Sequence, residues 1–449
     1  MLFGSGKQGH ERRNVMKKSD YIGTVMEQVR CRSVHKALEK ELEAHIDDCA
    51  EAFAAEGLSP EEAEEKAVLT MGDPVETGIR LDRVHRPKFP WTIAASALLL
   101  LTAVMLAEHF LRAHFGFRAF IDNDFGINIF LGAAIAIVSA AVFCLADYTV
   151  FLKAPKVVYA VCLTVFAVLL HYHIHFTDMD HEVIRGNVFF CTMLFVPLTC
   201  GFAFSMRGGG FGKFALTCIL TAVPPMLIAM YAPCTSAAVM AGLTALAVMT
   251  VLVHQGSFKV NKLAAYSFMY IPAVLGAVGL AALGFRERTQ IPYEFRQLDR
   301  TIMDVILPNS DFIGSGGHME MNNYPWYHDY NHIITAVFSD FGTAAGVVLV
   351  LLALSLPVVM LIGMHRVKNR FGKTIGTAIA LVFLYASVTV ILSNMGITTG
   401  FESYTAMPLT AGNAVNCAVC GSLVGVFMSV CRRSDIMPEA HIENRRERV

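Results

Sequence analysis

From Trp91 onward the chain alternates apolar runs of about twenty residues with short polar breaks, and this constrains the fold more than any other feature. A hydrocarbon core about 30 Å thick takes about 20 helical residues to cross. Inside it every backbone N–H and C=O must be satisfied within the protein, which leaves helices as the form such runs can take. With 55% apolar residues, only 16% charged residues and a mean hydropathy of +0.50, the chain falls outside the range of soluble globular proteins. Lys and Arg number 36 against 37 Asp and Glu, so no basic excess exists to hold nucleic acid. The expected fold is all-α, a polytopic membrane protein with a small helical head before it.

Candidate spans begin near Trp91, Ile127, Val157, Asn187, Phe214, Thr235, Leu263, Ile333, Thr374 and Thr405, which makes ten. With the N-terminus inside, the loops assigned to the cytoplasm hold eighteen Lys and Arg, whereas the opposite loops hold seven. That asymmetry obeys the positive-inside rule and puts both termini in the cytoplasm. No early apolar stretch with a small-residue cleavage site precedes Trp91, so the first span is expected to act as an uncleaved anchor.

Residues 1–19 read as a flexible N-terminus and 20–88 as a cytoplasmic helical domain that ends near Arg86-Pro87-Lys88. The membrane domain is placed at 91–431 and a cytoplasmic tail at 432–449. In the head, Val34, Leu38, Leu42, Ile46 and Cys49 recur at helical spacing. Ser59-Pro60-Glu61-Glu62 reads as a cap, a proline at the first helical position and a first-turn carboxylate, with Gly72 closing that helix and Asp73-Pro74 opening a third. The stretches ELEAHIDD, GLSPEEAEEKAV, MGDP and HRP resemble the HAAS or permease-prefix domain that precedes many bacterial membrane proteins. That resemblance implies a regulatory or assembly role and no particular activity.

One outer loop, 285–330, is longer than the rest, carrying Arg286, Arg288, Arg296, Arg300, Gly314-Ser315-Gly316-Gly317 and Tyr324-Pro325-Trp326-Tyr327. Long ordered loops are usually functional, and this one holds too many aromatic and apolar residues for a solvated linker. Its arginines suit a diphosphate, or they pair with Glu287, Glu294, Asp299 and Asp304 in the same loop.

The C-terminal 170 residues resemble the SEDS family of bacterial cell-wall proteins, whose members include FtsW, RodA and SpoVE. The resemblance runs through Arg296 to Pro308, Ile313-Gly314-Ser315-Gly316-Gly317, Ile334-Thr335-Ala336-Val337, Asp340-Phe341-Gly342, Asn394-Met395-Gly396, Gly400 and Met407-Pro408-Leu409-Thr410-Ala411-Gly412. It implies ten helices in the inner membrane of a bacterial cell and a role in peptidoglycan synthesis, cell division or cell shape. The substrate implied is lipid II, an undecaprenyl-linked cell-wall precursor, with membrane lipid around it and a single-pass penicillin-binding transpeptidase as partner. If the chain is an active glycosyltransferase, a base must deprotonate the acceptor hydroxyl and positive charge must meet the leaving diphosphate. The family's catalytic Asp position falls here on Asn331 or His332, so Asp329 or His332 takes the proton, or activity is lost and the scaffold kept. Arg286, Arg288, Arg296, Arg300, Gly316, Asn331 and Pro408 are the expected substrate-binding residues, Pro408 as a kink in the last span. A divalent cation accompanying the diphosphate is the one cofactor considered.

Other patterns compete. His328 and His332 flank Asp329 at i and i+4 as in a zinc-protease helix, and His171 and His175 share a helical face. Glu108-His109 sits at the outer end of the first span, where ionisable groups meet water and headgroups or line a pathway. Among the 11 cysteines, Cys417 and Cys420 form a CxxC inside an apolar run and read as reduced packing residues. A silent scaffold and a permease or lipid flippase remain the alternative functions.

Overall fold

The computed structural model describes residues 16–32, 34–86, 88–115, 129–176, 181–231, 234–290, 302–314, 332–397, 407–411 and 413–433. Among them every regular element is helical. The chain divides into two compact units, with the boundary between Lys88 and Phe89.

The head contains α1 (Lys18–Gln28), α2 (His35–Ala55), α3 (Pro60–Thr70) and α4 (Pro74–His85). Tyr21, Ile22, Val25 and Met26 of α1 meet Leu38, Leu42 and Ile46 of α2 and Ala67 and Val68 of α3 in one buried cluster. Ser59 and Glu62 form the expected reciprocal capping box at α3. Those hydrogen bonds hold the Glu62 carboxyl below its ordinary pKa. Gly72 follows with φ +80°, and Asp73 then accepts from the N–H groups of Val75 (2.7 Å) and Glu76 (3.0 Å) to start α4. Helix α4 lies close on α1 at Gly78, where a Cβ would stand 2.8 Å from the Val25 carbonyl oxygen.

The membrane unit contains α5 (Trp91–Phe115), α6 (Ile129–Leu145), α7 (Pro155–Phe176), α8 (His181–Ser205), α9 (Gly210–Tyr231), α10 (Thr235–His254) and α11 (Lys262–Gln290). These are followed by α12 (Ile333–Phe341), α13 (Thr343–Met364), α14 (Arg370–Asn394) and α15 (Ala414–Arg433). Nine helices among the described residues are long and apolar enough to cross a membrane. The second expected span, α6, is apolar over 17 residues, about 25 Å and at the short limit for a crossing. The molecule is thus an all-α, polytopic membrane protein.

Two expected spans differ from the sequence reading. The eighth was expected to run on from Ile333, but Gly342 adopts φ +92° and separates a nine-residue α12 from α13. The tenth was expected from Thr405, yet α15 starts at Ala414, and Pro408 lies buried in a non-helical turn before it. Pro408 therefore kinks no helix. With no N–H and a fixed φ, it fits a turn that Leu409 continues at φ +65°.

The tightest pairing joins α6 to α15. Cβ atoms placed on Gly421 and Gly425 would each lie 2.4 Å from a carbonyl oxygen of α6, that of Ala136 or Ala140, so these positions admit only glycine. Helix α13 packs between α5 and α14, and α10 meets α8, α9, α11 and α14. At one end of the bundle, here the near end, Ile93 of α5, Gly363 of α13 and Phe427 of α15 adjoin. That end is fastened by Arg433, whose guanidinium donates to the carbonyls of Ala146 and Leu145 just beyond and at the end of α6, and by Asn369, which donates to the Tyr148 hydroxyl (3.2 Å).

Candidate functional site

At the opposite, far end two of the described segments leave regular helix and are held by the bundle. The first is a segment from Ile302 to Gly314, which opens with a single wide helical turn, Ile302–Ile306. Its backbone then runs against the break between α12 and α13. The N–H groups of Thr343 and Ala344, which have no partner inside α13, donate to the carbonyls of Asp311 (2.8 Å) and Phe312 (3.1 Å). Gly314 N–H returns a bond to the Phe341 carbonyl (3.1 Å), and the Ser310 and Thr343 hydroxyls lie 3.0 Å apart. A Cβ on Gly342 would stand 2.9 Å from the carbonyl oxygens of both Asp311 and Phe312, so glycine is needed for the positive φ and for the close approach alike. This inner part of the long loop is docked, not free.

The second is the turn Met407 to Ala411, in which Met407, Leu409, Thr410 and Ala411 are buried. Buried irregular backbone has to find its hydrogen-bond partners within the protein. Here Asn416 supplies partners: its side chain donates to the Met407 carbonyl (2.8 Å) and accepts from Leu409 N–H (3.2 Å) and the Cys420 thiol (3.0 Å). The Cys417 thiol donates to the Thr410 carbonyl (3.2 Å). Both members of the CxxC are thus free, buried thiols that tie α15 to its own leading turn.

A third polar knot joins α12 to α14. The Thr335 N–H and hydroxyl both reach the Asn394 side-chain oxygen (3.0 Å each), the hydroxyl also reaches the Asn394 carbonyl (2.8 Å), and all of these groups are buried. On α5, Glu108 is fully buried and close enough to Cys417 to act on it electrostatically. The expectation of an interfacial carboxylate in water is corrected here. Two further titratable groups sit on α12. Burial pushes the His332 imidazole, at the helix N-terminus, down to about 4, and its Nδ1 is buried without a hydrogen bond among the described residues. Burial lifts the Asp340 carboxyl to about 6 against a smaller, opposing hydrogen bond with Ser339.

Of the residues singled out from sequence, His332 and Pro408 belong to this far end. Arg286 and Arg288 fall in the last turns of α11, with their side chains outside the description. Asp329, Asn331, Arg296, Arg300 and Gly316 lie outside the described residues, as do His328 and the aromatic stretch Tyr324–Tyr327. His332 precedes the first residue of α12 as its cap. His171 is exposed on α7, and no group of three potential metal ligands occurs among the described residues. Sequence reasoning missed Thr335, Asn394 and Asn416 as a polar framework, and the signal was available: asparagine in an apolar run is costly unless it bonds another element.

No protein-family model and no curated protein matches the chain.

Proposed function

We propose that this protein works in bacterial peptidoglycan assembly as a SEDS-like membrane protein, taking an undecaprenyl-linked cell-wall precursor at the far end of its bundle. The observation that carries the reading is the docking of Ile302–Gly314 onto the α12–α13 break, at the same end of the bundle as buried irregular backbone at Met407–Ala411. A bundle built only to cross a membrane needs neither feature. The distribution of Lys and Arg supports placing this end outside the cell and both termini in the cytoplasm.

As a glycosyltransferase, the protein would take the proton from an acceptor hydroxyl onto Asp329 or His332 while the acceptor oxygen bonds the donor sugar carbon and the lipid diphosphate departs. Arg286, Arg288, Arg296 and Arg300 would meet the diphosphate charge, with Gly316, Asn331 and Pro408 shaping the substrate site. The membrane partner in this reading is a single-pass penicillin-binding transpeptidase.

A second reading, a scaffold without polymerase activity, draws support from His332 itself. An imidazole held near 4 is a weak base at neutral pH, so Asp329 would carry the chemistry alone. Incubation of the purified protein with labelled lipid II decides between them. Polymer formation that falls by about a hundredfold or more in Asp329→Ala supports the enzyme, as expected for loss of a general base. Absence of polymer with and without the transpeptidase leaves the scaffold, and lipid II movement across proteoliposomes would replace both readings with a flippase.

A further inference from the structure

The head carries a groove that its own fold does not fill. Helices α2 and α4 both pack on α1 and leave between them a cavity of about 490 Å³. Its floor is apolar, made by Leu38, Leu42 and Leu81, and its rim is acidic, with Glu41 and Asp48 exposed on α2. His85 closes one side with a buried Nδ1 that makes no hydrogen bond among the described residues. Leu38, Glu41, Leu42, His45 and Asp48 follow one another along a single stripe of α2, so an occupant has to present apolar and cationic groups along a matching line.

The chain itself offers such a line. Beyond Arg433, outside the described residues, Ile442, Arg445, Arg446 and Val449 stand at i, i+3, i+4 and i+7. Helix α15 ends at the near end of the bundle, where α5 begins and where the chain from the head therefore enters, since Ile93, Gly363 and Phe427 adjoin there. Ile442 lies nine residues beyond Arg433, a reach of up to about 30 Å, the width of a small domain. We propose that the segment 434–449 docks in the α2–α4 groove of the same chain, Ile442 on the Leu38–Leu42–Leu81 floor and Arg445 and Arg446 against Glu41 and Asp48. The head then reads the state of the last membrane helix through a tether and has a seat from which a competing ligand can displace that tether.

The test uses the full-length protein in nanodiscs with a photo-crosslinking phenylalanine analogue in place of His45, an exposed residue lining the groove. Mass spectrometry of the irradiated monomer is expected to find the probe joined to a peptide from 434–449. Glu41→Lys with Asp48→Lys, both at exposed positions, is expected to lower that yield about fivefold, the scale of two surface ion pairs. Adding Arg445→Glu and Arg446→Glu to the same chain is expected to restore it. A crosslink to lipid, to another protein or to a second copy overturns the proposal, as does a yield that ignores the charge reversal or the absence of any crosslink to the segment.

Discussion

Two buried hydroxyls explain how prolines are tolerated inside membrane helices. Pro224 of α9 cannot donate to the carbonyl four residues before it, that of Leu220, and the Tyr159 hydroxyl on α7 donates to that oxygen instead (3.1 Å). Pro357 of α13 likewise frees the Ala353 carbonyl, which accepts from the Ser387 hydroxyl of α14 (3.0 Å). Tyr159→Phe and Ser387→Ala each remove the donor and leave a carbonyl unsatisfied away from water. Each is expected to cost about 1 kcal/mol of stability, the scale of interhelical hydrogen bonds in membranes, while Ser355→Ala, whose hydroxyl bonds only its own helix, costs less. Thermal unfolding of the three variants in one detergent checks this, and equal losses would refute the assignment. The prolines were visible in the sequence. Their partners were not, because a donor on another helix leaves no mark at a fixed spacing. Asn416 and Glu108 were hidden for the same reason, since burial of a polar group at a helix end depends on what the next helix brings to it.

The elements that came through clearly from sequence are those whose signals are local. The capping box at Ser59, the positive-φ Gly72 and the start of α4 at Asp73 lie where turn chemistry puts them. Helix α1 went unread although Tyr21, Ile22, Val25 and Met26 keep helical spacing, because it is only eleven residues long and has no side-chain cap. The break at Gly342 was masked by apolar residues on both sides, and only the docked segment distinguishes two helices from one. Close helix pairing was equally silent. Gly421 and Gly425 stand on α15 with a carbonyl of α6 beside each, whereas Gly276 and Gly279 of α11 face open space. Gly425→Val is therefore expected to force α6 and α15 apart and cost several kcal/mol, about the scale of severe overpacking. Gly276→Ala should be neutral or stabilising by about 0.5 to 1 kcal/mol through helix propensity. Comparable losses at the two sites would show that the α6–α15 seam is not the close contact described.

Across the whole membrane unit the two ends are built on different principles. Helix-terminal carbonyls at the near end are tied down by Arg433 and Ser429, and Asn369 joins its two neighbouring loops through Tyr148. The far end instead holds irregular backbone by a few bonds around α12, together with two groups whose protonation is displaced by burial. Local opening should therefore concentrate at α12, and its pH dependence follows from linkage. His332 is held near 4 when packed and has an ordinary value of 6.5, so between these values the opened state binds the extra proton and acid favours opening. Asp340 is held near 6 against an ordinary 3.8, so across that window the packed state binds the extra proton and acid favours closure. The two effects oppose each other between about 4 and 6, and in the native protein α12 exchange should change little there. Single variants separate them. In Asp340→Asn, hydrogen exchange of the α12 amides, corrected for its intrinsic pH dependence, should quicken as pH falls from 6.5 to 4.5. In His332→Gln it should slow from 6 to 4.5, while the near-end amides around Asn369 stay protected in both. Responses of the same sign in the two variants would mean that α12 is not the element whose packing shifts these groups, and the far end would lose its claim to be the part of the bundle that moves.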